Sequence, residues 1–295
     1  MIPPEDKPSL RMVPPESAEQ LARRVERDRV TNERQREQDL EQSLKPFRVG
    51  SVPYLNAVPL MRGMEDEIRL VTPSKLAKLL ENDELDAALV SVTEVLLKGR
   101  YDVLDGVAIA SLGEVKSVFV AHRYPLAEIH EIYCDTASLT SVNLLKVLLA
   151  ERGLKADLVP LPDYEVAPSC DAVLLIGDRA IDFLRGDHNH QLWDLGSAWF
   201  ELTKLPFVYA VWALRRGIEN KELRRHLREA KDFGVDTLDH IIRVRTEYDL
   251  DFRKDYLGWH IHYHLGSDEK RGLAKFAELL RKHNIGPVFD PIYVR

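Results

Sequence analysis

The chain has 295 residues, 45% of them hydrophobic, which is enough for two domains with buried cores. Its formal net charge of −7 argues against a nucleic-acid partner, because such affinity comes mainly from basic residues that neutralise phosphates. Its two cysteines exclude a disulfide scaffold and a cysteine zinc module. There is no apolar run of the roughly 18 residues that span a bilayer, and the first ten residues lack the pattern of a secretory signal. We therefore expect a cytoplasmic protein with no membrane partner.

Residues 1–46 form a charged extension that differs in composition from the rest of the chain. Two pairs of adjacent prolines favour an extended or disordered lead. From residue 16 to residue 45, charges alternate at helical spacing, as in Glu19 and Arg23, which predicts a solvated helix. Leu21 and Val25 give it only a thin apolar stripe. We expect this extension to take no part in the chemistry; the alternative is an arm that joins two copies into a homodimer.

From Phe47 onwards, short apolar segments alternate with amphipathic ones, which predicts βαβ units and an α/β fold. A helix begins at Thr72-Pro73-Ser74, where proline suits the first helical turn. The predicted strands are FRVGSV (47–52), Ile68–Val71, Asp86–Val90, Leu104–Ser111, Ser117–Ala121, Glu131–Cys134, Ala156–Leu161, Ala172–Gly177 and Leu205–Leu214. Helices are predicted over residues 76–82 and 141–153, and the chain after residue 214 is predicted to be helical.

The order of these elements predicts two lobes with a ligand cleft between them. Residues 47–134 are assigned to the first lobe, residues 135–208 to the second, and residues 209–295 to a return to the first lobe with C-terminal helices. The segment Leu205–Leu214 is long enough to cross between the lobes.

Common cofactor signatures are missing: the sequence has no GxGxxG after a strand, no phosphate-binding loop, no HExxH and no GxSxG. We therefore predict no cofactor. The histidines of WHIHYHLG (259–266) share one face only if the segment is a strand, and no acidic partner completes a metal site there. The segment Asp187-His188-Asn189-His190 is interpreted as a surface loop, so no metal is predicted.

Small polar residues follow several predicted strands or begin predicted helices. Asn56 follows the first strand, Ser91 ends another, and Ser117 begins a third. Ser138, Thr140 and Ser141 lie at the start of the predicted second-lobe helix, and Gly177 and Asp178 follow the end of a predicted strand. Helix starts offer free N–H groups that suit a carboxylate, although each hydroxyl taken singly is better explained as an N-cap, and Gly177-Asp178 as a turn. Together these residues predict a polar pocket for a small anion.

Seven ordered motifs resemble the chorismate dehydratase family of the futalosine route to menaquinone. They are GSVPYLNAVPL (50–60), DAALVSVTEVL (86–96), GEVKSV (113–118), DTASLTSVNLL (135–145), LLIGDRAI (174–181), DLGSAWFELTKLPFVYAVWAL (194–214) and YHLGSDEKRGLAKF (263–276). The resemblance covers residues 47 to about 285 and leaves out the charged extension.

The resemblance implies a two-lobed fold like that of type II periplasmic binding proteins, with mixed sheets. It also implies that chorismate loses water to give 3-[(1-carboxyvinyl)oxy]benzoate. Asn56 is then the predicted catalytic residue, and Ser91, Ser117 and the hydroxyls of residues 138–141 bind substrate. Leu139 stands where related sequences often have arginine, so no cation is expected there.

No histidine or lysine at the motif positions is an obvious base, so the enolpyruvyl carboxylate of the substrate is the expected proton acceptor. Glu94 is a rival base, although a carboxylate in a first helical turn is more simply explained by the helix dipole. Two further functions are weighed: the lyase of the same pathway that acts on cyclic dehypoxanthinyl futalosine, and a non-catalytic binding protein for small anions.

Overall fold

The computed structural model describes residues 18–44 and 47–295. None of the helices described there has the length and apolar content needed to cross a bilayer. The predicted proline-containing lead lies outside the described residues.

The strands are β1 Val49–Ser51, β2 Ile68–Leu70, β3 Ala87–Ser91, β4 Tyr101–Ser111, β5 Val118–His122, β6 Glu131–Cys134, β7 Asp157–Pro160, β8 Ala172–Ile176, β9 Gln191–Asp194, β10 Phe207–Arg215 and β11 Ile292–Val294. The α-helices are α1 Ala18–Leu44, α2 Pro73–Glu81, α3 Val92–Lys98, α4 Leu139–Glu151, α5 Gly177–Arg185, α6 Leu195–Thr203, α7 Lys221–Asp236, α8 Leu238–Val244, α9 Leu250–Asp255 and α10 Ser267–Lys282. Three short 3₁₀ helices cover Leu55–Met61, Leu126–Glu128 and Tyr164–Ser169, and one π-helical turn covers Tyr256–His260.

The first sheet has six strands in the order β11-β4-β10-β3-β1-β2. Strand β1 runs parallel to β2 and β3, whereas β10 lies antiparallel to both β3 and β4. Strands β3 and β10 are mostly buried, which is consistent with their nearly continuous apolar sequences. We call this sheet and the helices around it the first lobe.

The second sheet has five strands in the order β7-β6-β8-β5-β9, and with its helices it forms the second lobe. Strand β5 is antiparallel to β8 and β9, so both sheets are mixed, as the predicted fold class requires. The prediction placed residues 118–134 in the first lobe, and this is corrected: β5 and β6 pair within the second sheet. No change of composition marks the crossing between β4 and β5, so the sequence patterns gave no boundary there.

The chain returns to the first sheet through β10, so the predicted crossing near residues 205–214 is observed. Aromatic rings pack edge to face at this junction: Trp199 lies 5.1 Å from Phe207 and 5.9 Å from Phe276, measured between ring centroids. All three side chains are buried, so the core is continuous where the lobes meet.

Helix α1 confirms the helical interpretation of the charged extension. Glu19 and Arg23 form the predicted pair at 2.7 Å, and Leu21 and Val25 are exposed. The later part of α1 packs on α7, where Arg36 contacts Asp236 at 3.3 Å.

Some elements were not predicted. The C-terminal segment was expected to be helical throughout, but β11 adds a parallel edge strand beside β4. Strand β9 and helices α5 and α6 were also missed. Strand β9 spans only four residues, and three of them are half-buried and one exposed, so its sequence has no strong apolar pattern.

Candidate active site

A cavity of about 620 Å³, part of it open to solvent, lies between the two sheets. Residues from β3, β4 and β10 of the first sheet and from β5 and β8 of the second line it. The lining residues are Val52, Tyr54, Asn56, Pro73, Leu89, Ser91, Ile109, Val115, Ser117, Val118, Ser138, Ser141, Ile176, Gly177, Tyr209 and Ala210. Among the described residues that line the cavity, none has a charged side chain, so its polar groups are hydroxyls, an amide and backbone atoms.

Asn56 lies on the 3₁₀ helix that follows β1. Helix α7 packs closely against this segment: a Cβ atom added at Gly234 would lie 1.8 Å from the carbonyl oxygen of Pro59. Asn56 Nδ2 donates to the Tyr256 hydroxyl at 3.1 Å. Its Oδ1 atom is buried and has no hydrogen-bond partner among the described residues. The amide is therefore held on its nitrogen side and unpaired on its oxygen side.

Ser91 and Thr140 join the two lobes. The two hydroxyl groups are hydrogen-bonded to each other. Ser91 Oγ also accepts from the backbone N–H of Thr140 at 2.9 Å, and Thr140 Oγ1 accepts from the backbone N–H of Thr93 at 3.0 Å. Each hydroxyl thus satisfies an N–H group in the first turn of the other lobe's helix, α4 or α3. Thr140 is fully buried and is not among the described lining residues.

Ser138 and Ser141 line the second-lobe wall at the start of α4. Ser138 is the N-cap of that helix and accepts from the backbone N–H of Ser141 at 3.3 Å. The Ser141 hydroxyl donates to Ser138 Oγ at 3.2 Å. The capping interpretation therefore applies to Ser138, and both hydroxyls still lie at the cavity wall.

Gly177 has the left-handed φ of +56° at the end of β8, where its backbone N–H donates to the carbonyl of Ser117 at 2.8 Å. The ring of Tyr54 lies about 3.5 Å from where a Cβ atom would be. Asp178 does not line the cavity. Its carboxylate instead accepts from the backbone N–H of Leu55, across the cleft, at 3.4 Å, and burial raises its pKa to about 6.

Six of the eight predicted site residues line the cavity: Asn56, Ser91, Ser117, Ser138, Ser141 and Gly177. Thr140 and Asp178 contact the opposite lobe instead. Glu94, the rival base, is not among the lining residues that the structure describes; burial raises its pKa, and Lys98 opposes that rise.

Three tyrosines at the site were missed. Tyr54 and Tyr209 line the cavity, and burial raises the pKa of both phenols. Tyr54 stands two residues before Asn56, and that proximity could have been used to find it. Tyr256 donates to Ser117 Oγ at 2.8 Å and contacts Asn56, but it lies 139 residues beyond Ser117, with no local signal.

The histidines of residues 259–266 do not lie on a single helix or a single strand. His260 ends the π-helical turn and hydrogen-bonds to the carbonyl of Glu114 at 2.8 Å, whereas His262 pairs with Ala110 in an isolated bridge. Within residues 18–44 and 47–295, no group of three or more His, Cys, Asp or Glu side chains is arranged to hold a metal ion.

Comparison with known proteins assigns the chain to a family. A family model described as menaquinone biosynthesis matches residues 47–282. A chorismate dehydratase from Thermus thermophilus is 34% identical, over 85% of this chain and 99% of that protein.

Among solved structures, a structural-genomics protein from Archaeoglobus fulgidus superposes with a TM-score of 0.66 at 21% identity, covering 81% of this chain and 98% of that one. The periplasmic aliphatic sulphonate binding protein of Escherichia coli gives 0.54 at 13% identity, covering 84% and 93%. At such identities these likenesses show the fold alone, which is the predicted periplasmic-binding-protein-like fold. The chain belongs to the menaquinone biosynthesis family, together with the Thermus chorismate dehydratase.

Proposed function

We propose that this protein is a chorismate dehydratase, which eliminates water from chorismate to give 3-[(1-carboxyvinyl)oxy]benzoate for menaquinone biosynthesis by the futalosine pathway. The proposal rests on the chemistry of the residues that line the cavity, in a chain that belongs to this family. The polar side chains of the lining are the amide of Asn56 and the hydroxyls of four serines and two tyrosines, and none of the described lining residues is charged. Such a site suits a small dicarboxylate that itself supplies the charge.

The hydroxyls at the two walls are the proposed carboxylate ligands. Ser138 and Ser141 lie at the start of α4, where the helix dipole favours an anion. Ser91 comes from the first lobe, at the end of β3, and its hydroxyl contacts Thr140 of α4. Ser117 lines the cavity just before β5 and contacts Tyr256. Two carboxylates held from two lobes would fix the ring between them, and closure of the lobes would exclude water.

The reaction removes the proton at C3 and the hydroxyl at C4 of the ring. The ring carboxylate acidifies C3–H through the conjugated double bond, and formation of a benzene ring supplies the driving force. With no carboxylate, histidine or lysine among the described lining residues, the enolpyruvyl carboxylate of chorismate is the proposed proton acceptor. The C4–O bond breaks as the ring becomes aromatic, and the departing hydroxide leaves with that proton as water.

Asn56 is the proposed catalytic residue, because it lines the cavity and its buried Oδ1 atom has no hydrogen-bond partner among the described residues, which leaves that oxygen to accept from the C4 hydroxyl of a bound substrate. Replacing it with alanine should lower kcat by about 100-fold or more without unfolding the protein, since a misplaced reacting group loses about that factor. Asn143, a buried asparagine outside the described cavity lining, provides a control as Asn143→Ala.

The test is to incubate the purified protein with chorismate and follow absorbance and mass. We expect an aromatic product lighter than chorismate by one water, formed by the wild type and far more slowly by Asn56→Ala. Unchanged chorismate with folded wild-type protein would contradict the proposal. Cyclic dehypoxanthinyl futalosine would then be tried, and turnover of that compound would identify the sister lyase, whereas binding without turnover would identify an anion-binding protein.

A further inference from the structure

We propose that Tyr256 is a positioning residue for the dehydration, which acts by fixing the orientation of the Asn56 side-chain amide. The proposal rests on the proposed function. Tyr256 is not among the described residues that line the cavity. Its phenol is buried, and packing alone brings it to the site.

The hydroxyl of Tyr256 lies between two polar residues of the cavity wall. It accepts from Asn56 Nδ2 at 3.1 Å and donates to Ser117 Oγ at 2.8 Å. Tyr256 is fully buried, and its ring stacks on Phe252 with 5.6 Å between centroids. Burial raises the pKa of the phenol, so it remains protonated at neutral pH.

This arrangement selects which end of the amide meets the ligand. Because the proton of Tyr256 is used by Ser117, the phenol oxygen offers Asn56 only an acceptor, which the amide nitrogen satisfies. The amide oxygen is then the atom left without a partner among the described residues. An oxygen at that position accepts from the C4 hydroxyl of the substrate, whereas a flipped amide would present two N–H donors there.

The chain provides a matched control for the packing of Tyr256. Tyr263, seven residues later, is also buried, and its hydroxyl has no hydrogen-bond partner in the part of the chain that the structure describes. Replacing either tyrosine with phenylalanine removes one buried hydroxyl and keeps the ring. Only the change at Tyr256 removes a contact with Asn56.

The kinetic experiment is a double-mutant cycle between Tyr256→Phe and Asn56→Ala. In the wild-type background we expect Tyr256→Phe to lower kcat by about 10- to 100-fold, with KM changed less than about threefold, because the bound substrate loses alignment rather than affinity. In the Asn56→Ala background the same change should alter kcat by less than about twofold. Tyr263→Phe should leave kcat within about twofold of wild type. Thermal unfolding of each variant checks that it is folded.

A kcat for Tyr256→Phe near that of the wild type would overturn the proposal. An equal loss of kcat in the wild-type and Asn56→Ala backgrounds would overturn it too, because such a loss would not act through Asn56. If Tyr256→Phe does not fold, Phe252→Leu takes its place in the cycle, because it removes the ring that stacks on Tyr256 and is not itself a described lining residue.

A spectroscopic readout separates this proposal from the proposed function. In protein labelled with ¹⁵N-asparagine, the side-chain signals of Asn56 are assigned by their loss in Asn56→Ala. Tyr256→Phe should shift them and speed their exchange with water, and Tyr263→Phe should not. Unmoved Asn56 signals would overturn the positioning role even in an active enzyme, and shifted ones would support it even if the wild type leaves chorismate unchanged.

Discussion

Asp178 shows how the cleft changes the ionisation of a single residue. Burial is the main cause that raises its pKa to about 6, and the negative charges of Asp182 and Glu247 add to it, while the N–H of Leu55 and the charge of Arg245 oppose it. In the unfolded chain the same group titrates near 3.8. Between these values the folded state binds the proton more tightly, so stability falls as pH rises from about 4 to about 6.

We therefore expect Asp178→Asn to stabilise the protein at pH 7.5 and to have little effect below pH 4. The asparagine keeps an acceptor for Leu55 and removes the buried charge, and we expect a gain of roughly 1 to 2 kcal/mol after allowance for its partial exposure. Urea unfolding between pH 4 and pH 8 measures it, with the exposed Asp171→Asn as control. A variant that is less stable than the wild type at pH 7.5 would show that the carboxylate is stabilising as an anion.

The site residues that the sequence predicted share one property: they adjoin strand ends or helix starts. Ser91 ends β3 and Ser117 precedes β5, and the end of a sheet strand is where α/β folds place ligands. Tyr256 has no such position. It lies in a π-helical turn far along the chain, and only the packing of that turn against the first lobe brings its hydroxyl to Asn56.

At the level of elements, helices α3 and α4 approach each other through their first turns. The hydroxyls of Ser91 and Thr140 cap each other's helix, so the contact between the lobes consists of hydrogen bonds rather than apolar packing at this point. This arrangement suits a cleft that opens for substrate, because water can replace the hydrogen bonds when the helices separate.

Thr140→Val tests this mutual capping. Valine keeps the shape but leaves the buried N–H of Thr93 without its acceptor, so we expect a loss of about 1 to 3 kcal/mol in the free energy of unfolding. Because Ser91 and Thr140 share these bonds, Ser91→Ala should add less in the Thr140→Val background than alone. Urea unfolding of the single and double variants measures both effects.

The exposed Thr136→Val, in the loop before α4, is the matched control and should be close to neutral. Strict additivity of Ser91→Ala and Thr140→Val would mean that the two hydroxyls act separately, which would contradict mutual capping.

For the molecule as a whole, the segment that crosses from β4 to β5 is tied to the second lobe. The carboxylate of Asp194 accepts from the backbone N–H groups of Val115 and Lys116, at 3.1 and 2.9 Å, and from that of Ser197 at 2.9 Å. These bonds place Ser117 at the cavity. The sequence predicted two lobes from alternating strands and helices, but not this crossing, because it depends on a contact 79 residues along the chain.

Helix α1 packs on the first lobe, and none of its described side chains lines the cavity. Glu37 contacts Arg62 at 2.6 Å, and the guanidinium groups of Arg36 and Arg62 lie 4.9 and 5.1 Å from the centre of the Phe233 ring. Most of its described side chains are exposed, and the family match begins at residue 47, after the helix. The described contacts of α1 with the lobe are therefore ion pairs and cation–π contacts outside the cavity lining.

A chain shortened to residues 46–295 should accordingly fold and remain active. Loss of the ion pairs and of the arginine that covers Phe233 should cost about 1 to 2 kcal/mol, which lowers Tm by only a few degrees in a protein of this size. We expect kcat with chorismate to stay within about twofold of the parent chain, because no α1 residue lines the cavity that the structure describes. Thermal unfolding and turnover of the two chains, with Glu37→Gln in the parent chain as a milder change, measure these effects. A tenfold fall in kcat, or loss of a cooperative transition, would mean that α1 stabilises the arrangement of the 3₁₀ helix that holds Asn56.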